Sequence, residues 1–148
     1  MRYLIAITAV SLAACSASPG PGGLTQKADD HSICDQAHFP DFLSSFAEDV
    51  QVQRKHTEFP LHKREFRHVT TQVDPVPVES VVKESDVRFP VYPSPSDQRA
   101  RSLTAQVASQ SGRNAEVRVS REDTDYLVVY SFEHTSCWKL TRVEDRSQ

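Results

Sequence analysis

Residues 115–140 read AEVRVSREDTDYLVVYSFEHTSCWKL, and the spacing of their apolar side chains decides the fold class. Ala115, Val117 and Val119 alternate with polar residues, the period of a half-buried strand. Arg121 to Asp125 is polar and turn-forming. Tyr126, Val128, Tyr130 and Phe132 then alternate with Leu127, Val129 and Ser131, so the second strand is apolar on both faces. His134-Thr135-Ser136 turns the chain again, and Trp138 and Leu140 begin a last strand. Turns this short join antiparallel neighbours. The spacing therefore predicts a three-strand meander whose middle strand is central in a sheet and covered by a helix.

The best candidate for that helix lies upstream. Phe42, Leu43, Phe46 and Val50 recur at near-helical spacing, Pro40 is tolerated in a first turn, and Asp41 suits a helix N-terminus. The stretch from Glu48 to Arg54 either continues this helix or begins a second short one. Phe59-Pro60-Leu61 is expected to break it and turn the chain. Phe66, Val69, Thr71 and Val73 alternate with polar groups and predict a first strand over 63–73. Prolines at 75, 77, 90, 93 and 95 confine Val76 to Val91 to edge strand, short helix or loop. Ser96 is expected to cap a helix over Asp97 to Ser111, with Ala100, Leu103 and Val107 on one face and Gly112 ending it. The expectation is thus an α+β domain over residues 34–148: an N-terminal helix packed on a curved antiparallel sheet that closes with a three-strand meander.

The chain start reads differently. Arg2 precedes Tyr3 to Ala14, a run without a single charge. The run is too short to span a bilayer as a permanent helix, so it reads as an export signal. Leu12-Ala13-Ala14-Cys15 resembles the lipobox of bacterial lipoproteins. That resemblance implies removal of residues 1–14, diacylglycerol on the Cys15 thiol and acylation of the new amine. Each buried methylene then adds about 0.8 kcal/mol of anchoring. The alternative is an ordinary secretory cleavage that leaves Cys15 as a thiol. Ser16 stands where an Asp would resemble an inner-membrane retention signal, so the resemblance implies the outer membrane, with the domain facing the periplasm. Residues 15–33 hold three of the four glycines, grouped as Ser18-Pro19-Gly20-Pro21-Gly22-Gly23, and read as a flexible tether.

Charge and cysteines narrow the classes further. Loss of Arg2 leaves sixteen basic residues against twenty acidic ones, a formal charge of −4. The basic residues are scattered among acids and form no stripe for nucleic acid, which disfavours that class of partner. With Cys15 committed to lipid, Cys34 and Cys137 remain as a pair in an oxidising compartment, where a disulfide is the natural inference. Two unpaired thiols on opposite sides of the domain are the alternative. Neither cysteine has a second cysteine or a histidine at ligand-like spacing, so the sequence suggests no metal site and no cofactor.

A helix at the start, an irregular middle, and a closing meander with Trp138-Lys139-Leu140 followed by Val143 and Asp145 resemble the nuclear transport factor 2-like, or SnoaL-like, cone fold. Phe42, Phe46, Asp49, Arg54 and Phe59-Pro60-Leu61 are similar to positions in periplasmic lipoproteins of that fold, over roughly residues 38–147. The resemblance implies a curved sheet wrapped around a helix, with a mouth where ligands or partners sit. It implies Asp49, His68 and Tyr130 as acid-base candidates in the enzymatic members. Arg54, Tyr130 and Trp138 are the candidate binding mouth here.

No residue cluster spells out a catalytic chemistry. The six histidines form no i, i+4 ligand pair on a convincing helix; His134 reads as a turn residue, and His62 and His68 as strand or loop surface. There is no Gly-x-Ser-x-Gly elbow and no glycine-rich phosphate loop. Tyr126, Tyr130, Phe132 and Trp138 are explained by core packing or by an aromatic-lined mouth. Arg54, Lys55, Lys63, Arg64 and Arg67 form a basic segment that is a solvated face, or else a site for an acidic protein surface or anionic envelope component. The expected function is a tethered, non-catalytic protein-binding module, specifically an immunity or inhibitor lipoprotein against a toxin delivered into the periplasm. The rivals are a structural or assembly accessory of the envelope, and a SnoaL-like enzyme or small-molecule carrier.

Overall fold

The computed structural model describes Cys34, residues 38–71 and residues 73–147. The signal, Cys15 and the tether over 15–33 lie outside the described residues. Helix α1 (Phe39–Glu48) opens the domain, with Pro40 in its first turn and Asp41 near its positive end. It stops because Asp49 leaves helical geometry and caps a second helix, α2 (Val50–Lys55), its carboxylate accepting from the Gln51 N–H at 2.7 Å. Strands β1 (Thr57–Arg67) and β2 (Val76–Val82) follow, then a single 3₁₀ turn over Glu84–Asp86 and a short helix α3 (Pro95–Ala100). Four strands complete the chain: β3 (Leu103–Ser111), β4 (Asn114–Arg121), β5 (Leu127–His134) and β6 (Trp138–Asp145). Among the described residues no helix is long and apolar enough to cross a membrane.

The six strands form one sheet in the order β2-β1-β6-β5-β4-β3. Strand β5 is central, as its two-sided apolar pattern predicts. Every pairing is antiparallel except β1 against β6, which is parallel, a departure from the expected all-antiparallel sheet. Parallel neighbours need a long crossover, and here β2, α3 and the β3–β5 meander all lie between the two strands in sequence.

Three local expectations are corrected. Phe59-Pro60-Leu61 does not turn the chain but lies inside β1, which runs over Thr57–Arg67 rather than the expected 63–73. Pro60 is tolerated because it falls where β1 and β6 lose register, between Thr57 and His62, so no ladder bond requires its missing N–H. The expected helix over Asp97 to Ser111 is only one turn and a half of α3. Its cap is Ser94, which shares a reciprocal capping box with Asp97. Ser102 then takes a positive φ of 53° and the chain reverses into β3. Leu103, Ala105 and Val107 pair opposite Arg121, Val119 and Val117, so sheet pairing overrides the helical reading of the same residues. Gly112, expected to end a helix, instead turns a two-residue hairpin between Ser111 and Asn114 with φ 56°.

The core lies between α1 and the concave face of the sheet. Phe39, Phe42 and Phe46 are all fully buried, and the Phe132 ring of β5 meets them at centroid distances of 5.3, 6.0 and 5.3 Å. Burying each such side chain stabilises the fold by about 1.5–3 kcal/mol, with aromatic geometry adding to that. The Phe39 ring also packs on Trp138, 4.7 Å away. Cys34 and Cys137 form a disulfide across 103 positions of sequence, tying the start of the domain to the residue before β6.

Candidate functional site

Helix α1 covers only part of the concave face, and the uncovered part forms a cavity of about 300 Å³. Alternation puts Lys63 and Glu65 of β1, Val128 and Tyr130 of β5, and Val143 and Asp145 of β6 on this side of the sheet. Residues 90–93 and the start of α3 form the opposite wall, with Asp97 and Arg101 at its rim.

A buried glutamine holds that wall in place. The Gln53 side chain is 1% exposed; its Oε1 accepts from the N–H groups of Val91 (2.8 Å) and Tyr92 (3.1 Å), and its Nε2 donates to the Tyr92 carbonyl (3.0 Å). One side chain of α2 thus satisfies three backbone groups of a segment that has no ladder of its own. So held, Tyr92 wedges its ring against Tyr130 (4.8 Å) and Phe46 (6.0 Å) and separates the cavity from the aromatic core.

Side chains of both signs face the cavity, Lys63 and Arg101 beside Glu65, Asp97 and Asp145, whereas the Arg64 guanidinium turns to the other face of the sheet toward Glu79 and Glu144. Arg101 also stacks over Tyr126, its guanidinium carbon 5.5 Å from the ring centroid. Burial pushes the Tyr92 phenol up to about 12. Tyr130 is raised as well, chiefly by burial and further by Tyr126, Tyr92 and Asp145, with Arg101 opposing. Both phenols stay protonated through the physiological range, so Tyr130 presents a hydrogen-bonding hydroxyl rather than a base.

A pH dependence follows. An unfolded tyrosine ionises near 10, whereas these two hold their protons to higher pH. They leave stability unchanged below about pH 10 and lower it as pH rises through the window up to their folded values, by up to about tenfold in the folding constant per pH unit for each. Urea midpoints measured at about pH 9 and pH 11 should fall in the wild type and fall less in Tyr130→Phe. Equal losses in the two proteins would contradict the buried phenol.

The sequence-derived candidates separate in the fold. Tyr130 lines the cavity. Asp49 is occupied in capping α2, and His68 is exposed just beyond β1; neither lines the cavity, so the acid-base trio does not converge there. Arg54 is exposed and lies over the Phe89 ring at 4.5 Å. Trp138 is 2% exposed, packed between Phe39 and His134. Much of the basic segment is neutralised: Arg64 pairs with Glu79 (3.2 Å) and Glu144 (3.8 Å), and Arg67 with Glu65 (2.8 Å). Sequence reasoning missed Asp97, Arg101 and Asp145 as parts of the mouth. Asp145 was recoverable from β6 alternation once Val143 was set inward; Asp97 and Arg101 were hidden by the long-helix reading.

No protein-family model matches this sequence, and no curated protein matches it. Among solved structures, a nuclear transport factor 2-like protein from Bacteroides fragilis superimposes on 74% of this chain with a TM-score of 0.55 and 17% identity. The fold is nuclear transport factor 2-like. The cavity described above is the open end of that cone, between its curved sheet and the segment carrying Tyr92. The chain spans about half of its neighbour's length, 47%, and identity this low establishes shared architecture alone. Nuclear transport factor 2-like folds include enzymes and non-enzymes, so function has to be argued from the cavity itself.

Proposed function

We propose that this chain is a lipid-anchored, periplasm-facing binding module that receives a protein partner in its cone mouth. We propose further that the partner is a toxin acting in the periplasm, which makes the chain an immunity or inhibitor lipoprotein. One observation carries the reading. The cavity has a floor formed by Tyr126 and Tyr130 and a rim of mixed charge, Lys63 and Arg101 beside Glu65, Asp97 and Asp145. Aromatic and arginine side chains in a concave, partly desolvated setting are the composition of interface hot spots. Charges of both signs around them orient a partner and discriminate against others.

The lipobox resemblance at Cys15 and the Gly/Pro-rich tether support the anchoring part. An anchored inhibitor gains effective concentration at the surface under attack, and it needs no catalytic group. The test is contact competition between a deletion strain and its parent. The deletion strain should be killed by its siblings, wild-type chain should restore survival, and Cys15→Ser and Arg101→Glu should both fail to restore it. Equal survival of the deletion strain overturns the immunity reading.

A small-molecule carrier is the second reading, because the cavity volume lies at the lower limit of the roughly 300–1,000 Å³ common for ligand pockets. Native mass spectrometry of the purified protein decides it: a co-purifying small molecule displaced in Tyr130→Trp would replace the protein-binding reading.

A further inference from the structure

At the end of the core away from the cavity, Cys34, His56 and Cys137 bring their ligand-type atoms within 4.8 Å of one another. His56 belongs to the turn between α2 and β1 and is 3% exposed. Its Nδ1 lies 3.0 Å from the backbone carbonyl of Trp138. A carbonyl oxygen can only accept, so in the neutral ring Nδ1 carries the proton and Nε2 carries the lone pair. The ring is fixed further by an edge contact with Phe42 at 5.5 Å, and the His56 carbonyl accepts from Leu140 N–H at 2.8 Å. A metal-binding histidine is usually held this way, its second nitrogen donating to a backbone carbonyl that sets tautomer and orientation.

We propose that the thiol form of this protein binds one zinc ion through Cys34, Cys137 and His56, so that the disulfide and the metal site are alternative states of the same three residues. Two thiolates and one imidazole are a ligand set zinc accepts, with a fourth position left for water or substrate. Donors on one zinc sit about 3.4–3.8 Å apart, given bonds of about 2.0–2.3 Å, which the 4.8 Å cluster accommodates once the sulfurs part. The chemistry balances. A dithiol reductant gives two electrons and two protons to the Cys34–Cys137 bond and becomes a cyclic disulfide, leaving two thiols. Zinc binding then displaces both thiol protons, and His56 contributes its lone pair without proton loss. Oxidation of the pair reverses this and expels the ion.

The proposal does not depend on the immunity reading, and its test uses different readouts. The purified full chain is reduced with a dithiol, freed of reductant without oxygen, and titrated with zinc and separately with cobalt(II). The reduced chain should retain one equivalent of zinc through desalting and melt at a higher temperature with it, while the oxidised chain retains none. Cobalt should produce a sulfur-to-metal charge-transfer band and tetrahedral ligand-field bands. His56→Gln should weaken zinc binding by at least about a hundredfold, since loss of even an outer-shell partner costs 10- to 100-fold. His56→Cys, which keeps a third soft ligand, should preserve retention. Absence of zinc from the reduced wild type, or zinc affinity unchanged by His56→Gln, overturns the proposal.

Discussion

Phe132→Ala is expected to lower the unfolding free energy by about 3–5 kcal/mol, a large share of the about 5–15 kcal/mol that keeps a domain folded. Phe132 is 1% exposed on the central strand β5 and receives the rings of Phe39, Phe42 and Phe46 at once. Truncation removes the surface on which α1 sits and leaves a void bounded by three rings that α1 holds in place. The loss should therefore lie in the upper part of the Phe→Ala range, because a site walled by aromatic rings cannot collapse easily. Urea unfolding followed by the single tryptophan, Trp138, measures it, with Val81→Ala as control. Val81 is 60% exposed on the edge strand β2 and should change stability by less than about 0.5 kcal/mol. A Phe132→Ala loss below about 1.5 kcal/mol would mean that α1 does not pack on β5 as described.

Removing the disulfide is the second large effect. Cys34 and Cys137 close a loop of 103 residues, for which the chain-entropy model gives about 4.7 kcal/mol, and native disulfides of small domains are commonly worth about 2–5 kcal/mol. The double variant Cys34→Ala/Cys137→Ala should lose about that much relative to the oxidised protein, in the same urea experiment. Reduced wild type should lose a comparable amount and recover part of it when zinc is added, whereas the double variant should not respond to zinc. An unchanged midpoint in the double variant would mean that the crosslink contributes nothing to this fold.

How far the architecture can be read from the chain varies with the locality of the signal. The meander from Ala115 to Leu140 is legible because each strand alternates in its own residues and each turn is short. Helix α1 is legible because Phe42 and Phe46 define a face, and Pro40 and Asp41 mark its start. The stretch from Asp97 to Ser111 is ambiguous: Ala100, Leu103 and Val107 satisfy a helical period, while Leu103, Ala105 and Val107 satisfy a strand period. Pairing with Val117 and Val119 of β4 settles the matter, and that contact is visible only in the folded chain. Pro60 misleads for a related reason, since a proline breaks a strand only where the ladder needs its N–H, and register is a property of two strands.

The site depends even more on the fold. Tyr130 is identifiable as a cone residue from β5 alternation, but its raised phenol, the Tyr92 wedge and the Gln53 clamp all come from packing between distant segments. Histidine 56 shows no ligand spacing to either cysteine along the chain, yet the turn before β1 carries it to the Cys34–Cys137 pair. The closing meander and the helix that covers it can be read from the chain alone, and the pairing of the two cysteines can be expected from it. Each follows from periodicity within one segment or from the chemistry of the compartment that the lipobox resemblance implies. The parallel β1–β6 junction, the fate of residues 97–111, the charged mouth of the cone and the cluster around His56 emerge only on folding. All of these are contacts between residues far apart in sequence, where burial and register select one of several locally acceptable conformations.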